Sequence, residues 1–92
     1  MSQLISIESN PSPVKLDVMG VYSWAVWKKE VSTFPWTYEK AESCYILSGE
    51  VTVTPDGGEP VLIKKGDLVH FSKGLSCQWQ ITQAIKKHFL FN

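Results

Sequence analysis

The chain has 92 residues, nine of them basic and nine acidic, so its formal net charge is zero. A chain this short makes one domain that buries only about 60 to 65% of its unfolded surface, and without a basic stripe it lacks the attraction that nucleic-acid binding draws on. No basic region followed by a long apolar run opens the sequence and no apolar stretch approaches a membrane span, so the reading is a soluble, cytoplasmic protein that binds neither nucleic acid nor membrane.

In chain order, the first expected element is an edge strand within about residues 1–10, near Ile5, followed by a linker-like stretch at 10–13 that leads into a barrel spanning about 14–92. Strands are then expected at 14–16 and at 20–31, where Val, Trp and Tyr are dense and no apolar period of 3.6 residues persists. Further strands follow at 34–38, 44–54, 60–64, 68–71, 76–82 and 85–91. They carry two-residue apolar spacing in "VTVT", "DLVHF" and "CQWQI". Turn residues separate them, most clearly in "TPDGGEP" at 54–60, where Asp56, Gly57 and Gly58 tolerate positive φ. Eight or nine short strands in one small domain predict an all-β jelly-roll or similar closed barrel.

Two cysteines, Cys44 and Cys77, permit one disulfide at most and, with no secretory signal, are read as reduced thiols. They do not form a CxxC motif, and His70 and His88 supply no partners at zinc-ligand spacing.

The first cupin motif, G-x5-H-x-H-x3-E-x6-G, lies on Glu30, Trp36, Tyr38, Glu42 and Gly49; the second, G-x5-P-x-G-x2-H-x3-N, lies on Gly66, Ser72, Gly74, Cys77 and Ile81. The glutamate and three glycines match, and every histidine is replaced. With "WAVWKKEVSTFPWTY", "ESCYILSGEVTV", "KKGDLVHFSKGLSCQW" and "KKHFLF", residues 24–91 resemble the small single-domain cupins related to the EutQ-like and (S)-ureidoglycine aminohydrolase cupin domains. The resemblance implies a cupin (RmlC-like) jelly-roll barrel. It does not carry over the activity of the two-domain ureidoglycine enzymes, which hold manganese through histidines this chain lacks.

In the register the resemblance implies, Trp36, Tyr38, Glu42, Cys44, Cys77 and Trp79 all point into the barrel. One carboxylate, a phenol and two thiols make a poor divalent-metal site, so no metal and no cofactor are expected. Glu42 is either a general base, a partner for a cationic or amide-bearing ligand, or a carboxylate hydrogen-bonded to Tyr38 and backbone amides. Cys77 is either a nucleophile or, with no activating histidine nearby, a small buried hydrophobe; Cys44 is read as packing. Trp36, Tyr38 and Trp79 either stack on a flat or cationic ligand or simply fill the core. His88 is read as a surface or hydrogen-bonded structural residue. His70 is placed by alternation outside the apolar face.

Three functions follow. One is a metal-independent module that binds a small polar metabolite in an aromatic pocket. A second is an enzyme on a small nitrogenous or sugar-like substrate, with Glu42 as acid or base assisted by Tyr38 or Cys77. The third is an interaction protein that pairs with a second copy through an edge strand at 4–7.

Overall fold

The computed structural model describes residues 5–91. Strand β1, Ile5–Ser9, pairs with one strand among the described residues; Leu4, part of the proposed pairing edge, lies outside them.

Where a strand was expected at 14–16, the chain forms helix α1, Pro13–Met19. The reason lies in its ends. Ser12 Oγ accepts from the Lys15 N–H at 3.2 Å, Pro13 opens the first turn where its missing N–H is not needed, and Gly20 closes the helix at φ 70°. Within the helix only Leu16 is buried, while Val14 and Val18 are 71% and 82% exposed. No apolar stripe therefore marks it in the sequence. The expected strand at 20–31 is likewise shorter: a 3-10 turn at Val21–Ser23 precedes β2, Ala25–Lys29.

The remaining strands are β3, Ser32–Thr37; β4, Glu42–Pro55; β5, Val61–Lys64; β6, Asp67–Phe71; and β7, Ser76–Phe91. The two strands expected at 76–82 and 85–91 are thus one continuous element. All pairings are antiparallel, in the order β1-β6-β4-β7-β2, with β3 also on β7 and β5 also on β4.

β4 and β7 shape the jelly roll because each belongs to both layers. The first part of β4 pairs with β6 and the last part of β7, which in turn pairs with β2. The later part of β4 pairs with β5 and the first part of β7, which pairs with β3. Register shifts between Ile46 and Val51 mark the corner where both strands pass from one layer to the other. Gly49 stands at this corner with φ 97°, and a Cβ there would lie 2.1 Å from the Ala84 carbonyl oxygen. The position therefore admits only glycine.

Between the layers an aliphatic core of Ile46, Val51, Val53, Ile63, Val69, Ile81 and Ile85 adjoins an aromatic one of Tyr38, Phe71 and Trp79. The turn from β5 to β6 is tied by the buried Asp67 carboxylate, which accepts from Ser9 Oγ at 2.9 Å and the Lys64 N–H at 3.0 Å. Among the described residues no helix is long and apolar enough to cross a membrane.

Candidate functional site

Side chains alternate along each strand, so β7 turns its odd-numbered residues inward: Cys77, Trp79, Ile81, Ile85 and Lys87 are all buried. In the doublet Lys86-Lys87 this sends one ammonium to solvent and the other into the barrel. On β4 the same rule buries Glu42, Cys44 and Ile46. Lys87 stands opposite Ile46 and Glu42 opposite Phe91, and the flexible lysine stem spans the diagonal. Lys87 Nζ donates to Glu42 Oε2 at 2.7 Å with both side chains buried.

Aromatic rings enclose this ion pair. Lys87 Nζ lies 4.9 Å from the ring centroid of Trp27, 4.8 Å from that of Trp79 and 5.9 Å from that of Phe89. Such contacts favour an ammonium that has left water. Phe34 stacks on Trp79 at 6.0 Å, and Trp36 meets Tyr38 edge-on at 6.3 Å. Together with Phe91 these residues line an open cavity of about 230 Å³ with the Glu42–Lys87 pair in its wall.

The sequence pointed to six residues here, and Trp36, Tyr38, Glu42 and Trp79 all line the cavity. Trp36 is not sealed inside the barrel, however. It is 45% exposed, and among the described residues β3 pairs with β7 only. Cys44 and Cys77 are buried in the neighbouring core and not in the cavity wall. Burial pushes the Cys77 thiol up to about 11 and the Cys44 thiol up to about 12. Cys77 Sγ donates to the Trp36 carbonyl oxygen at 3.6 Å, so both cysteines carry the proton of a packed thiol.

The expected hydrogen bond between Glu42 and Tyr38 is absent. Glu42 is bonded to Lys87, whose charge makes it the stronger donor. Tyr38 stacks on Phe71 at 4.6 Å and 10°; among the described residues its hydroxyl and the Trp79 indole N–H, both buried, make no hydrogen bond of good geometry, and the indole bears on the hydroxyl only as a weak donor. Burial, then the nearby Glu42 carboxylate, raises the Tyr38 phenol far above its ordinary value, and the adjacent Trp79 indole offsets only part of this.

Lys87 was missed in the sequence, as were Trp27, Phe34, Phe89 and Phe91. The period of two running through Ile81, Ile85, Lys87 and Phe89 was the available signal. His88 lies on the opposite face of β7 from Lys87 and is nonetheless buried, its Nδ1 3.1 Å from the Trp24 carbonyl oxygen under the edge-on ring of Tyr22. It is a hydrogen-bonded structural histidine. His70 is exposed, with Nδ1 3.1 Å from Ser43 Oγ.

The metal that the histidine-bearing cupin motifs imply does not fit these residues. Three of the four ligand positions hold Trp36, Tyr38 and Cys77, and the fourth, Glu42, is engaged by a cation of the protein's own. Among the described residues no three His, Cys, Asp or Glu side chains are grouped to hold a metal ion.

The EutQ-like cupin domain matches the chain over residues 16–89. No curated protein matches it. Among solved structures, a DUF861 family protein from Thermotoga maritima is 45% identical with a TM-score of 0.94, over 97% of this chain and 100% of that one. The Clostridium difficile EutQ protein, 20% identical, aligns over 96% of this chain and 67% of its own with a TM-score of 0.65. An RmlC-like cupin from Shewanella frigidimarina, 12% identical, aligns over 72% of this chain and 64% of its own at 0.55. The jelly roll, the register of the motif positions and the match over most of the chain agree: this protein belongs to the EutQ-like cupin family.

Proposed function

We propose that the protein is a metal-independent binding module that holds a small molecule in the aromatic cavity above the Glu42–Lys87 pair. The observation that carries this reading is the cavity itself: seven aromatic side chains and one buried ion pair line about 230 Å³ that the core leaves open. At roughly 30 Å³ per water, that volume corresponds to about eight waters, the size of a one-ring metabolite. Aromatic walls with a few fixed polar groups are the ordinary make-up of a ligand pocket. Trp36 and Phe91, both exposed at the mouth, supply apolar surface for a ligand to cover.

A thermal-shift screen of small metabolites tests the proposal. A ligand at a hundred times its Kd adds about 2.7 kcal/mol, which raises the Tm of a domain this size by about 10 °C or more. Trp36→Ala, at a half-exposed position, is expected to keep the fold and weaken the ligand. A broad screen in which nothing stabilises the protein overturns the proposal.

The same pair supports a second reading, an enzyme in which Glu42 and Lys87 exchange a proton with a bound substrate. Its test is loss of turnover in Glu42→Gln with the fold retained. The protonated, buried thiols argue against Cys77 as its nucleophile.

A further inference from the structure

Resting on the binding reading above, we infer that the group received at the ion pair is an anionic oxygen, the carboxylate of a flat one-ring acid, and not a cation. Aromatic faces commonly hold ligand cations. Here the faces of Trp27, Trp79 and Phe89 are already taken by the protein's own ammonium. The one carboxylate among the lining residues, Glu42, is bonded to that same ammonium. A ligand cation would find the ring faces taken and the Lys87 ammonium beside it, with a Glu42 carboxylate already shared with that ammonium to accept from it.

An acceptor finds the opposite. An ammonium has three N–H donors, and among the described residues Lys87 gives one hydrogen bond, to Glu42. Its other N–H groups face rings, which are weak acceptors, so a ligand oxygen gains a charge-assisted bond. The charge around the wall agrees. Lys29 Nζ lies 5.4 Å from the centroid of Phe34, a ring of the cavity wall. Within the lining the Lys87 and Glu42 charges cancel, and Lys29 stands behind Phe34 as a further positive charge on that side of the cavity. The remaining wall of Phe34, Trp36 and Phe91 is flat and apolar, suited to the ring that carries the carboxylate.

The experiment compares three one-ring probes of similar size, benzoate, benzamide and benzylammonium, by quenching of tryptophan fluorescence, since Trp27, Trp36 and Trp79 all line the cavity. Benzoate is expected to bind about tenfold or more tighter than benzylammonium, with benzamide between them. In the double variant Glu42→Gln/Lys87→Met, whose floor is uncharged, the preference for benzoate is expected to vanish. Benzylammonium binding as tightly as benzoate, or a preference that persists in the folded double variant, overturns the inference and leaves the binding reading standing. Failure of all three probes to bind overturns the inference, and the binding reading is then decided by the thermal-shift screen alone. The order of the probes on the unaltered protein decides the matter even where the double variant does not fold.

Discussion

Removing the Lys87 ammonium would leave the Glu42 carboxylate buried and unpaired, a change that typically costs about 3–5 kcal/mol. Lys87→Met is therefore expected to lower the urea midpoint severely, and Glu42→Gln/Lys87→Met to recover much of the loss. A double-mutant cycle in urea measures both; additive losses would show that the two side chains do not act as a pair. Tyr38 gives the opposite expectation, because among the described residues its buried hydroxyl makes no hydrogen bond of good geometry. Tyr38→Phe removes a desolvated polar atom and keeps the stack on Phe71, so stability should hold or rise by about 1 kcal/mol. The positions of Tyr38, Glu42, Cys44, Cys77 and Trp79 were legible in the sequence because strand alternation and motif spacing both act over short range. Lys87 was not, because a lysine is read as exposed unless its strand partner and a distant carboxylate are known. That partner is 45 residues away, and no local pattern announces it.

Elements differ in how plainly their sequence declares them. The hairpin at 54–60 and the strands β4 to β6 follow from turn residues and alternation. Helix α1 is written in its caps alone, with apolar side chains that face solvent, and a search for periodicity passes over it. Ser12→Ala is expected to remove about 1 kcal/mol of stability by freeing the first-turn N–H groups, read as a small shift in thermal melting. The corner at Gly49 is far less forgiving. Gly49→Ala combines a positive φ with a clash against the backbone of β7, and a loss of at least about 2 kcal/mol is expected. A melt unchanged by that substitution would show that the corner opens readily.

For the whole molecule, three buried acids share one pH dependence. Cys44, Cys77 and Tyr38 all bind their protons more tightly in the folded chain than their ordinary values of 9.0, 9.0 and 10.0 allow. As pH rises past about 9 the unfolded chain releases these protons first, so folding stability falls with pH. That contribution is complete below pH 9 and declines between 9 and about 11 for Cys77, between 9 and about 12 for Cys44, and above 10 for Tyr38. Melting temperatures measured from pH 8 to 12 should trace this decline, with Tyr38→Phe falling less steeply above pH 10. At neutral pH, a thiol reagent should modify neither cysteine until the fold opens.

Strand β7 pairs with β2, β3 and β4, elements drawn from across the earlier part of the chain. Until residues 76–91 have emerged from the ribosome, β2 and β3 have no strand to join and the inner side of β4 lies open to water. The barrel therefore closes late in synthesis, and until then the nascent chain displays Trp27, Phe34 and Glu42 to whatever surrounds it. A chain arrested before residue 76 is expected to be bound by a holdase chaperone and cut by protease, and one extended past residue 91 to resist both.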